Sequence, residues 1–176
     1  MLFMGEEFGT QTPFLFFCDF EKDLAAAVTA GRRNEFARFT RFNDPEARKG
    51  IPDPAAESTF EASRLDWNDL EEPRHQDWLL FYRQLLKLRR EHIFSRLSSA
   101  CKIEASYTAR EDLGLTAEWK FGNGSKLALL ANLGAVPLSA ATAPTGPIIY
   151  ASKGVREDEA NQGTLPPWSV VWFLES

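Results

Sequence analysis

The sequence predicts an α/β element followed by a small antiparallel β-sandwich, and three observations carry that prediction. Leu2-Phe3-Met4 is a short continuous apolar run, of the kind found in a strand buried on both faces of a parallel sheet. Residues 73–92 have the apolar spacing and the end charges of a long helix. From about residue 100 the texture changes to short β-rich runs separated by Gly, Pro and Asn. A length of 176 residues allows one to two domains, and a hydrophobic content of 44% excludes wholesale disorder.

Each element has its own signal. Gly5 and Gly9 punctuate the first apolar run. Pro13 then opens Phe14-Leu15-Phe16-Phe17-Cys18-Asp19-Phe20. Residues 22–41 read as a helix with Asp23 as its N-cap, and Gly31, about 1 kcal/mol worse than Ala in a helix, is a point where it could break. Pro45, Pro52 and Pro54 make residues 43–57 an irregular connector. In the 73–92 helix, Pro73 suits the first position, Glu71 and Glu72 face the positive end of the dipole, and Lys87, Arg89 and Arg90 face the negative end. Trp78, Phe81, Tyr82, Leu85 and Leu88 form its apolar stripe. Strands are expected at 102–107, 115–121, 126–132, 147–151 and 169–174, with Asn123-Gly124 as a type I′ hairpin signal.

Charge and cysteine usage exclude several function classes. Acids number 25 and bases 20, a net charge of −5, and Arg32, Arg33, Lys87, Arg89 and Arg90 sit among carboxylates, so there is no basic stripe for nucleic acid. No apolar run approaches the ~20 residues of a membrane helix. Cys18 and Cys101 form neither a disulfide framework nor a zinc pattern, and suit a reducing cytoplasm. His75 and His92 have no ligand-spaced partners and read as helix-surface histidines, so no metal or cofactor is expected. Asn123-Gly124-Ser125 reads as a turn, and no Ser/His/Asp or Cys/His nucleophile arrangement can be built.

Three places could carry chemistry. Glu6 and Glu7, adjacent on a strand, would point to opposite faces and cannot by themselves be a facing carboxylate pair; hydrogen bonding within the fold is the favoured role. The Phe14, Phe16, Phe17 and Phe20 cluster could be a stacking platform for sugar rings, with core packing favoured. Asp19, inside that cluster, needs donors, and sugar hydroxyls are donors.

The first residues, Met1-Leu2-Phe3-Met4-Gly5-Glu6-Glu7-Phe8-Gly9, resemble the eighth barrel strand of the α-amylase superfamily. Thr12-Pro13-Phe14-Leu15-Phe16-Phe17-Cys18-Asp19-Phe20, Gly31-Arg32-Arg33-Asn34-Glu35-Phe36, Pro52-Asp53-Pro54 and Ser63-Arg64-Leu65-Asp66-Trp67 resemble the malto-oligosyltrehalose trehalohydrolase family. The resemblance runs over residues 1–95 and more weakly to Trp168-Ser169-Val170-Val171-Trp172-Phe173.

The resemblance implies an α/β plus β fold: the last strand and helices of a (β/α)8 TIM barrel over residues 1–97, then a C-terminal antiparallel β-sandwich over 98–176. It implies hydrolysis, with retention, of the α-1,4 bond next to the terminal trehalose unit of maltooligosyl trehalose, in the cytoplasm. The family's three catalytic carboxylates end the fourth, fifth and seventh strands. On this reading the chain starts at the eighth, Met1 is an internal methionine, no catalytic residue can be assigned, and the upstream barrel half is the necessary partner. Glu6, Phe17 and Asp19 fall in the loop after the eighth strand and are expected to shape the sugar pocket; many relatives have His where this chain has Phe20. The alternatives are a non-catalytic β-module that supports the barrel or weakly binds α-glucan, or a segment of another amylase-type glycosidase. Exposed aromatics on one face of the sandwich would favour binding, and buried ones scaffolding.

Overall fold

The computed structural model describes residues 1–98, 103–139 and 141–176. They divide into two compact units, Met1–Tyr82 and Arg83–Ser176. Cys101 and Lys102, the latter at the head of the first expected strand, lie outside the described residues.

The first unit is helical. Leu2-Phe3-Met4 is not a strand. A strand needs a hydrogen-bonding neighbour, and every strand among the described residues lies beyond residue 102. The chain turns instead: the Glu6 N–H donates to the Phe3 carbonyl at 2.8 Å, and Glu6–Phe8 closes a 3₁₀ turn. Helix α1 (Lys22–Phe36) is capped two residues earlier than expected, so that Glu21 is the N-cap and Asp23 lies in the first turn, where its charge complements the dipole. Gly31 does not break it; its Cα faces open space.

The connector also differs from expectation. Its prolines start structure rather than prevent it. Pro45 takes the first position of α2 (Pro45–Lys49), and the Asp44 side chain accepts from the Glu46 N–H, so the first turn is capped. Helix α3 (Glu57–Glu61), a 3₁₀ turn at Trp67–Glu71 and α4 (Pro73–Leu88) follow.

The second unit opens on the end of α4, which widens into a π-helical turn at Arg89–Phe94 and closes with α5 (Ser95–Ser98). Strands β1 (Ile103–Ala109), β2 (Gly114–Phe121), β3 (Lys126–Asn132), β4 (Ile148–Ala151) and β5 (Ser169–Glu175) make one antiparallel sheet in the order β1-β2-β3-β5-β4. The β2–β3 connection is a hairpin, but not of type I′. Of its residues only Gly124 has a positive φ, +89°, and the Phe121 N–H donates to the Ser125 carbonyl around a three-residue loop. That is a turn with an αL bulge, which needs one left-handed residue rather than two.

The expected sandwich is a single sheet. Alternation along β3 and β5 sends Ala128, Leu130, Val171 and Phe173 to one face, where Leu138, Ala141, Ala160 and Leu165 cover them. These covering residues come from the connections flanking β4 and from the one-turn helix α6 (Glu157–Ala160), so loops replace the second sheet. On the other face Phe121, Leu127 and Leu174 pack with Ile93, Ile149 and the stacked pair Trp119 and Trp172, whose ring centroids are 5.5 Å apart.

Two buried polar or backbone features lock the loop layer. Asn132 is fully buried; its Nδ2 donates to the carbonyls of Val136, Leu165 and Pro166 at 2.9, 3.3 and 2.9 Å, and its Oδ1 accepts from the Gly134 N–H at 2.9 Å. Gly163, at φ +76°, lies against the Ala141 backbone, where an added Cβ would stand 1.7 Å from the Ala141 oxygen.

Candidate functional site

Within the first unit, α4 grips the 3₁₀ turn that carries Glu6. His75, Trp78 and Tyr82 lie on one face of the helix by their i, i+3, i+7 spacing. The Trp78 Nε1–H donates to the Glu6 carbonyl at 2.9 Å, and the Tyr82 hydroxyl donates to Glu6 Oε1 at 2.7 Å. The second carboxylate oxygen accepts from the Phe3 N–H at 3.2 Å. His75, expected on the surface, is buried; its Nδ1 lies 2.7 Å from the Phe8 carbonyl and must donate, because a carbonyl only accepts. Phe8, 1% exposed, packs on the rings of Trp67 and His75. Gly9 holds φ +64°, and a Cβ there would meet Trp78 Cδ1 at 2.8 Å, so this close approach requires glycine. The resulting cleft of about 690 Å³ is lined by Glu6, Thr10, Gln11, Arg74, Trp78 and Tyr82 among others.

The Tyr82 hydroxyl, then the Phe3 N–H, hold the Glu6 carboxyl below the ordinary glutamate range, and the same Glu6 bond holds the Tyr82 phenol above its ordinary value. The Glu6 contribution to stability is therefore present above the unfolded glutamate value of about 4.3 and is lost as pH falls through the lowered folded value. The Tyr82 contribution is present below about 10 and is lost as pH rises through the raised folded value. Tyr82→Phe is expected to lower the thermal midpoint between these limits and to have its effect vanish at both extremes. A loss of equal size at pH 3 and pH 7 would show that the contact is packing alone.

The other two residues singled out from the sequence lie in a separate cleft. Phe17, Cys18 and Asp19 face Pro54, Ala55, Ala56, Glu57 and Phe60 across about 560 Å³. The Cys18 N–H donates to the Pro54 carbonyl at 2.8 Å and the Leu15 N–H to Ser63 Oγ at 3.1 Å, which ties the aromatic loop to α3 and its flanks. Thr59, Ser63 and Asp53 complete that tie through Thr59 Oγ1 to the Asp53 carbonyl at 2.6 Å and Ser63 Oγ to the Thr59 carbonyl at 3.0 Å. Phe14, Phe16, Phe17 and Phe20 are exposed rather than core; Phe17 meets Phe14 and Phe60 edge-on, and the Arg32 guanidinium lies over Phe16. Asp19 is exposed, without a hydrogen-bonding partner among the described residues.

The structure thus joins Phe17 to Asp19 and sets Glu6 in a different cleft. Glu6 has both oxygens occupied and braces the turn; Asp19 presents an open acceptor beside aromatic faces, the combination that takes hydroxylated rings. No group of three His, Cys, Asp or Glu among the described residues could hold a metal ion. No helix among them is long and apolar enough to cross a membrane. His75, Trp78 and Tyr82 were not legible as partners of Glu6, because the same spacing marks an ordinary apolar helix face.

Residues 104–172 match a domain of unknown function, DUF3459. The chain is 33% identical over 173 residues, 97% of its length, to a malto-oligosyltrehalose trehalohydrolase from Rhizobium sp. (strain M-11), of which it covers 27%. It is 44% identical over 91 residues, 52% of its length, to the protein of that name from Deinococcus radiodurans, of which it covers 14%. The chain therefore spans about a quarter or less of the length of these relatives. A 1.4 Å crystal structure described as an alpha amylase from Salmonella typhimurium superposes with a TM-score of 0.82 at 34% identity, over 98% of this chain and 27% of that one. With its β-domain formed as an antiparallel sheet, the chain is a relative of the malto-oligosyltrehalose trehalohydrolases of the α-amylase superfamily and corresponds to their C-terminal portion.

Proposed function

We propose that the chain is the C-terminal segment of a cytoplasmic enzyme that hydrolyses the α-1,4 bond next to the terminal trehalose unit of maltooligosyl trehalose, releasing trehalose. The observation that carries this reading is the likeness to the Rhizobium relative over 97% of the chain, at 33% identity. Residues 1–97 are read as the end of a (β/α)8 barrel and 98–176 as its C-terminal domain. The catalytic carboxylates lie in the upstream barrel half, which is the partner that the exposed Phe14, Phe16 and Phe20 rings await. Phe17 and Asp19 shape the sugar pocket, and Glu6, in a separate cleft, holds its own turn through Tyr82. The tryptophans on the sheet support a scaffolding role for the β-domain, because Trp119 and Trp172 stack on each other against its own apolar cluster.

The test is a chimaera in which this chain replaces the matching portion of the Rhizobium enzyme. It is expected to release trehalose from maltooligosyl trehalose, whereas the chain alone releases none. Asp19→Ala in the chimaera is expected to lower kcat/KM at least about tenfold, the loss of one charged hydrogen bond to a hydroxyl. A folded chimaera that cleaves starch but leaves maltooligosyl trehalose intact would refute the substrate assignment.

A further inference from the structure

Among the described residues, strand β1 is an open edge of the sheet, and all seven of its residues are exposed. Edge strands are ordinarily protected by lysine, proline, a bulge or brevity. This one, Ile103-Glu104-Ala105-Ser106-Tyr107-Thr108-Ala109, has neither lysine nor proline, and pairs with β2 in unbroken register from Ile103↔Phe121 to Ala109↔Leu115. Its backbone polarity is determined: the Arg110 N–H donates to the Gly114 carbonyl, so the even-numbered residues bond toward β2. The N–H and C=O groups of Ile103, Ala105, Tyr107 and Ala109 therefore point away from the sheet.

We propose that β1 pairs antiparallel with β1 of a second copy of this chain, about a two-fold axis through Ser106, to make one continuous sheet. Two-fold pairing requires outward groups to meet outward groups, and an axis through Ser106 achieves it over the whole strand. Ala105 then lies opposite the partner subunit's Tyr107, and Ile103 opposite the partner subunit's Ala109; each pair exchanges two backbone hydrogen bonds. The side chains agree with this register. Glu104, the strand's one charge, falls opposite the partner subunit's Thr108 rather than another carboxylate. Tyr107, 77% exposed in the single chain, gains the partner subunit's Ala105 across from it and the second Tyr107 ring on the diagonal. The interface is isologous and closed, so it stops at two copies.

Sedimentation equilibrium of the 176-residue chain is expected to give a dimer mass. Ala105→Pro removes an outward N–H that β2 does not use, and is expected to weaken dimerisation at least tenfold; proline is tolerated at such an edge position. The register is read separately by disulfide trapping in a Cys18→Ser, Cys101→Ser background. Ser106→Cys would meet its own copy in a non-hydrogen-bonded pair about 4.5 Å apart between Cα atoms and should cross-link on oxidation. Glu104→Cys, displaced from the axis, should not. A chain that stays monomeric at every concentration, or a dimer that Ala105→Pro leaves intact, overturns the proposal. So does equal cross-linking, or equal failure, of Ser106→Cys and Glu104→Cys; this arm decides the matter should Ala105→Pro fail to fold.

Discussion

Gly163→Ala is expected to destabilise the second unit by at least about 3 kcal/mol, summing the cost of a left-handed non-glycine residue and of displacing packed backbone. The glycine sits at φ +76° with the Ala141 backbone directly over its Cα, at 1.7 Å for a methyl built there. No side-chain rotation relieves the clash, because the obstructing atoms are a peptide group. That peptide is itself tied down, since the Ala141 N–H donates to the Gly163 carbonyl at 3.3 Å. Gly124 provides the comparison: φ is +89°, but nothing lies within 4 Å. Gly124→Ala should therefore lose only the conformational part, about 1–2 kcal/mol. Urea unfolding followed by near-ultraviolet circular dichroism, which reports the Trp119–Trp172 pair, measures both. Equal losses for the two substitutions would mean that the loop containing Ala141 yields freely.

Asn132→Ala should be of similar or larger effect, about 3–5 kcal/mol. The side chain is at zero exposure and serves four backbone groups at once: three carbonyls from two loops and the Gly134 N–H. Alanine leaves the Val136 carbonyl and the Gly134 N–H without partners, each costing on the order of 1–3 kcal/mol where water does not enter, and takes one of two donors from the Leu165 and Pro166 carbonyls, which keep the Leu138 N–H and the Ser169 hydroxyl. Asn132→Asp, nearly isosteric, keeps the acceptor for Gly134 but loses the donors and faces three carbonyls with a negative charge. It should be at least as damaging as alanine, a ranking that a simple cavity would reverse. An aspartate variant as stable as the parent protein in the same unfolding experiment would show that the three carbonyls find water.

The β-domain was legible where one strand's pattern decides its own state. The 126–132 run is continuously apolar from Leu127 to Ala131 and follows the Asn123-Gly124 turn, and β3 occupies that range. What the pattern does not contain is the cover over the sheet. Leu138, Ala141, Ala160 and Leu165 are isolated apolar residues in loops, with no period to distinguish them from surface positions, so a second sheet was expected where loops lie. The first unit was harder. Leu2-Phe3-Met4 has the composition of a buried strand, yet composition cannot supply the neighbour that makes a strand. At the candidate site Glu6 stood out, but Tyr82, Trp78 and His75 are 76, 72 and 67 positions from the groups they contact. An aromatic with a polar tip on an apolar helix face looks the same whether it packs or donates. Asp19 was read as needing donors because its sequence neighbours are phenylalanines; those rings are exposed, so water already surrounds the carboxylate.

The strand order has a kinetic consequence. Strands β1, β2 and β3 are joined by short connections and meet in sequence, so they can assemble as each is made. The next partner of β3 is β5, which is last in the chain and lies between β3 and β4. Until it arrives, β3 presents an unpaired apolar rim, Leu127 to Ala131, and β4 has no sheet to join. Closing that gap spans the whole β3–β5 segment and is the slow, non-local step of the unit's folding. In a cell, this domain is at its stickiest in the interval between synthesis of Asn132 and synthesis of Glu175, and it is during translation that chaperones matter most to it.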